Sequence, residues 1–137
     1  MAGLHSYAVH LPRLTLAAQE LQQHLGRAPA RLQQKRVPDH DEDETTLAIA
    51  AARRLRALGG PEPAFLVTAS GTAGPFAALV AEALGLEGAR ASEHRGPLAG
   101  VAALLEACDA ADRANARVEV VLTSEVVASE VPTQYAR

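Results

Sequence analysis

Apolar and polar positions change period several times along this chain, and each change marks an element. Gly3 to Leu11 is a short apolar run closed by Pro12, which predicts a buried strand. Thr15 precedes Leu16, Leu21 and Leu25 at helical spacing, and Gly26 stops the pattern. Residues 27–36 are polar and basic and read as a surface connection. A long helix follows, with Asp and Glu clustered in its first turn and Arg53, Arg54 and Arg56 towards its other end. Both placements suit the helix dipole, and Gly59-Gly60-Pro61 ends the helix. Ala64–Ala69 predicts a second strand, Ser70–Pro75 a turn, and Phe76–Leu84 a helix closed by Gly85. Ala89–His94 is placed as a third strand, Pro97–Arg113 as the next helix, and Arg117–Thr123 as a fourth strand. Strands alternating with helices imply one α/β domain over residues 1–137. It would hold a mostly parallel sheet of about four strands flanked by helices.

Composition narrows the class. At 137 residues the chain can bury a real core, about 68% of the surface its unfolded form exposes. Apolar residues make up 48% but aromatics only 3%, so that core is built from Ala, Leu and Val. A net charge of −3 argues against nucleic-acid binding, which needs clustered Lys and Arg. One cysteine, Cys108, rules out an internal disulfide and a multi-cysteine metal site. No basic segment leads into a long apolar run and no run reaches spanning length, so a cytoplasmic protein away from membranes is expected.

The helix Pro97–Arg113 asks for more than one neighbour. It is nearly free of polar side chains on every face. Such a helix is normally buried all round, and a small sheet covers one side only.

Three blocks carry a resemblance: the opening strand with Leu11-Pro12, the segment Val37–Ala52, and Gly100-Val101-Ala102-Ala103-Leu104. With Arg117–Ser124 after them, their order resembles the first half of a thiolase-superfamily condensing enzyme. It is most similar to 3-hydroxy-3-methylglutaryl-CoA synthases and type III ketoacyl synthases. The resemblance implies a thiolase-like half-domain, with helix 97–113 in the position of the family's central layer. It also implies departures. Counting back from Gly100 puts Pro97 where the family keeps its nucleophilic cysteine. Proline is comfortable at a helix start but offers no nucleophile. The synthases' general acid–base glutamate corresponds to Ser70. The family's catalytic histidine comes from a second half that does not follow here.

Four groups of residues offer other chemistry. Glu93, His94 and Arg95 lie at a strand end before a helix start, a place where anions and ligands bind, and a His beside a carboxylate suits acid–base work. Arg31, Lys35 and Arg36 resemble the basic segment near the CoA nucleotide in type III synthases, which would hold a CoA thioester. Asp39–Glu44 lacks the glycine and spacing of a calcium loop and reads as a helix-start charge cluster, not a metal site. Cys108, three turns into an apolar helix, reads as a small buried hydrophobe.

The expectation is a degenerate, non-catalytic thiolase-like protein that works through homo- or hetero-oligomerisation. Its partner is a second copy or a thiolase-like or acyltransferase chain, met through helix Pro97–Arg113 and strand Ala89–His94. If Ala103 faces that partner, a charge placed there breaks the association. The alternative is an acyl-CoA-binding or acyltransferase-related protein using Glu93, His94 and Arg95.

Overall fold

A computed structural model describes residues 3–26, 33–59, 62–70, 75–114 and 117–122. The element order is β1 (Leu14–Ala17), α1 (Ala18–Leu25), β2 (Gln34–Val37), α2 (Glu44–Arg56), β3 (Phe65–Ser70), α3 (Phe76–Leu84), β4 (Arg90–Arg95), α4 (Ala99–Ala114) and β5 (Val118–Leu122). The chain divides into two compact units. One contains the described residues up to His10 and those from Glu44 onward; the other is Leu11–Asp43.

The larger unit is a three-stranded parallel sheet of order β4-β3-β5. Phe65 stands opposite Arg90 on one side and Val118 on the other, and Ser70 stands opposite Arg95 where β3 and β4 end together. Alternate residues of β3 point to opposite faces, and each face has its own core. Leu66 and Val121 pack with Ala48 and Ala52 of α2 and with Phe76, Val80 and Leu84 of α3. Val67 and Ala69 pack with Ala99, Ala103 and Ala107 of α4. The order of layers is therefore α2 and α3, sheet, α4, the α/β architecture the alternation implies. Thr68 is fully buried, and its hydroxyl donates to the Ser92 carbonyl at 3.1 Å, tying β3 to β4.

The arginines at the end of α2 do more than face their own helix dipole. Arg53 donates to the Ala83 carbonyl at 3.3 Å, and Arg56 donates to the Leu84 carbonyl. Both cap the last turn of α3, whose carbonyls have no partner within the helix.

In the smaller unit β1 and β2 form an antiparallel ladder with Leu14 opposite Val37. Residues 34–36, read as connection, are thus a strand, and the helix expected from Thr15 begins at Ala18. The ladder residues Gln34, Lys35 and Arg36 are exposed, so no buried face imposes an alternating pattern on them. Glu20 reaches back to the Ala17 N–H at 2.7 Å and fixes the start of α1.

Three further expectations are corrected. Gly3–Leu11 forms no strand: Leu4, Tyr7, Val9 and Leu11 are exposed, and no described strand runs beside them. An extended apolar run becomes a strand only with a ladder neighbour. Ala103 is 0% exposed and faces the sheet, so it cannot face a partner. Cys108 is exposed, because the stripe at 99, 103 and 107 turns inward and carries 108 outward. Arg31, residues 71–74 and the chain from Thr123 lie outside the described residues.

Candidate functional site

The carboxyl ends of parallel strands are where open α/β sheets place ligands, so the ends of β3 and β4 come first. β3 ends in Ser70, which is buried and donates to Glu44 Oε2 at 3.0 Å. Glu44, the first residue of α2, is itself only 3% exposed. Sequence reading missed this pair by taking Glu44 as one more residue of a helix-start charge cluster.

β4 carries Glu93, His94 and Arg95, and strand geometry separates them. Glu93 turns towards α3, where Oε2 accepts from the Ala77 N–H at 3.1 Å, and Arg95 Nε donates to Oε1 at 2.5 Å. Burial pushes the Glu93 carboxyl up, but Arg95 and the N–H groups of Ala77 and Phe76 outweigh it and hold it below its ordinary value. A charged carboxylate at the positive end of α3 is a helix cap.

His94 points the other way, as a neighbouring residue on a strand must. Its Nε2 is hydrogen-bonded to Glu106 of α4, and both side chains are half-buried. The His94 contact holds Glu106 below its ordinary value, against the opposing effect of burial. The carboxylate beside the histidine is therefore Glu106 and not Glu93. Its signal was available: Glu106 is the single charged residue between Arg95 and Asp109.

Between β4 and α4 lies the turn Gly96-Pro97-Leu98. Gly96 has φ +94°, a conformation in which a side chain would be strained, and the Ala99 N–H closes the turn onto the Gly96 carbonyl at 3.0 Å. Pro97 supplies no nucleophile at this point. Cys108 lies about 16 Å further along the helix axis, on the outer face.

The other candidates from the sequence belong to the smaller unit. Lys35 and Arg36 are neighbours on β2, so their side chains alternate, and Arg36 donates to the carbonyls of Pro12 and Arg13 at 3.3 and 3.2 Å. Asp39, His40 and Asp41 bring ligand atoms within 4.8 Å of one another. Arg13 already engages that cluster, contacting Asp41 directly, Asp39 at 3.6 Å and Glu42 at 3.3 Å. The His40 ring, bonded to Asp39 at 2.8 Å, is raised by that contact, and Asp39 is lowered by it. In the larger unit a groove of about 460 Å³ is bordered by His10, Ile49, Arg53 and Arg54, and none of its lining comes from β3 or β4.

Among the described residues, the outer face of α4 and the turn before it carry exposed large apolar side chains. Leu98, Val101, Leu104 and Leu105 are 73%, 57%, 48% and 67% exposed.

No family model matches this sequence, and no curated protein matches it. Solved structures do. A variant of OleA from Xanthomonas campestris superposes with a TM-score of 0.70 at 19% identity, over 87% of this chain and 44% of that one. The 3-oxoacyl-(acyl carrier protein) synthase III FabH from Xanthomonas oryzae gives 0.65 at 20% identity, over 80% of this chain and 39% of that one. The fold is thiolase-like. This chain spans less than half the length of either structure it matches. Among the described residues no helix is long and apolar enough to cross a membrane.

Proposed function

We propose that this thiolase-like protein performs no condensation of its own and acts by associating with another chain through the outer face of α4. The observation that carries the reading is that three large apolar side chains of α4, Val101, Leu104 and Leu105, stand exposed, together with Leu98 in the turn that leads into the helix. Contiguous exposed apolar surface of this kind marks interaction sites. Two departures support the loss of chemistry. Pro97 stands at the position that corresponds to the family nucleophile, and Ser70 stands at that of the synthase glutamate. Glu93 and Arg95 are bound to each other, which supports a structural role for both. The second contact expected, the β4 edge at residues 89–94, fits the same reading, because among the described residues β4 pairs with β3 alone. An open strand edge is a surface that proteins tend to cover.

The half-buried His94–Glu106 pair favours one alternative, a protein that binds acyl-CoA beside β4. The two readings separate cleanly. The test is the solution mass of the full chain, alone and as isolated from its own cells, for wild type and for a Val101→Glu, Leu105→Glu double variant. Association predicts a complex that the double variant loses, and a melting temperature indifferent to CoA or acetyl-CoA. Ligand binding predicts a melting temperature that climbs with the logarithm of CoA concentration. A monomer under every condition, with or without CoA, would end the association reading.

A further inference from the structure

We infer that the occupant of the outer α4 face is α4 of a second copy of this chain, laid antiparallel to the first; this rests on the association reading above. Three observations lead there.

The first is spacing. Within α4 the outward residues Val101, Leu105 and Cys108 follow at intervals of four and three, and Leu98, in the turn just before the helix, extends the series by three. That is the seam that one helix offers to another in knobs-into-holes packing, with Leu104 flanking it. A strand edge or a small ligand asks for no such interval.

The second is self-complementarity. A two-fold axis opposite Ala103 sets Val101 against Leu105 of the other copy and Leu98 against Cys108, so every seam contact is apolar and uncharged. An isologous interface has to match itself in this way.

The third is charge. The first turn of α4 contains no acidic residue, while its last turns carry Asp109, Asp112 and Arg113, with Arg113 bonded to Asp109 at 2.7 Å. Antiparallel packing lays this acidic end over the positive end of the partner helix. Parallel packing would set Asp109 and Asp112 of the two copies side by side.

Thiol cross-linking tests the occupant and its direction together, on the full chain. In the antiparallel pair the two native Cys108 residues sit about 15 Å apart along the axis, beyond the roughly 7 Å that a disulfide spans. Mild oxidation of wild type should therefore give little covalent dimer. Leu98→Cys places a thiol opposite Cys108 of the other copy, and should raise the covalent dimer at least tenfold. Adding Cys108→Ser to that variant should abolish the link. Residue 98 is exposed, so the fold should tolerate the change, and circular dichroism verifies that it has. A link that persists in the double variant, or a strong wild-type link through Cys108, would mean parallel pairing and overturn the inference. A wild-type chain that stays at 14.3 kDa at high concentration would overturn it as well. In that event, a complex with a different chain that Val101→Glu, Leu105→Glu disrupts would leave the association reading standing alone. If that complex is absent too, both fall.

Discussion

The two faces of α4 invert the usual sorting of side chains. Inward it presents Ala99, Ala103 and Ala107, all buried against Val67 and Ala69 of β3. Outward it presents Val101, Leu104 and Leu105, with Leu98 just before the helix, the larger side chains, all exposed. Both faces are apolar, so hydrophobicity does not distinguish them; size does. Small inward residues let the helix axis approach the sheet closely, and that contact completes the core on this side. The large outward residues belong to neither core cluster, and leaving them half in water forgoes part of the about 1.5–3 kcal/mol that full burial of each would supply. The inner face is thus accounted for by folding, and the outer face is the surface on which the proposed association rests.

The sharpest way to break that comparison is to charge the inner face. Ala103→Glu buries a carboxylate among the apolar side chains of Val67, Ala69 and Ala107. The expected loss is on the order of 4 kcal/mol, enough to unfold a marginal domain. Urea denaturation followed by circular dichroism measures it. A stable, folded Ala103→Glu protein would mean that residue 103 does not face the sheet.

The next test moves to the polar residues that join β4 to its two helices. Glu93→Gln removes a charged cap from α3 and the partner of Arg95, and should cost about 2 kcal/mol. Glu93 and Glu106 both have carboxyl groups held below their ordinary values. A group whose folded value is lowered contributes stability above its unfolded value, and that contribution is lost as pH falls through the folded one. Thermal stability should therefore be insensitive to these groups above the ordinary glutamate pKa of about 4.3 and fall in more acid solution. Asp39 and Glu42, lowered in the smaller unit, titrate in the same direction. Glu106→Gln isolates its own share: the variant should show a shallower acid fall than wild type. An identical pH profile would mean that the His94–Glu106 contact has no weight in solution.

How far these regions were legible in the sequence depends on what each element packs against. β3 and α3 were readable because each has a buried side: Phe65–Ser70 and Phe76–Leu84 lie within two residues of where their apolar periods put them, whereas β4, with no buried residue, was placed by its position between helices. The β1–β2 ladder was not, because an exposed pair of four-residue strands leaves no alternation to read. Gly3–Leu11 misled for the converse reason, since apolar composition signals a strand only if a neighbour receives it. At the candidate site, Glu93 and His94 were read as a pair because they are adjacent in sequence. Neighbours on a strand point to opposite faces. Their true partners, the Ala77 amide and Glu106, lie 16 and 12 residues away, and only the fold supplies them.

Charging the outer face should have little effect on the fold itself. Val101→Glu and Leu105→Glu each change an exposed position, and each is expected to alter monomer stability by no more than about 0.5 kcal/mol. The contrast with Ala103→Glu, two residues from either site, is the direct measure of how separate the two faces are. What these variants should lose is the dependence of melting temperature on protein concentration, which an assembling wild type must show. Retention of that dependence would place the interface elsewhere, with the β4 edge the first surface to probe.

The smallest effect concerns Cys108. It is exposed near the far end of the outer seam, so Cys108→Ala removes little packing and exchanges a thiol for a better helix former. Stability should be unchanged within about 0.5 kcal/mol. Its reactivity is more telling than its removal. In a monomer the thiol meets solvent whatever the concentration. Across an α4–α4 seam it sits against Leu98 of the other copy, so its labelling by a soluble disulfide reagent should slow as protein concentration rises. The rate should become independent of concentration in the Val101→Glu, Leu105→Glu protein. A wild-type rate that never changes with concentration would mean that this end of α4 stays in water, and that the seam, if it forms, is shorter than its spacing allows.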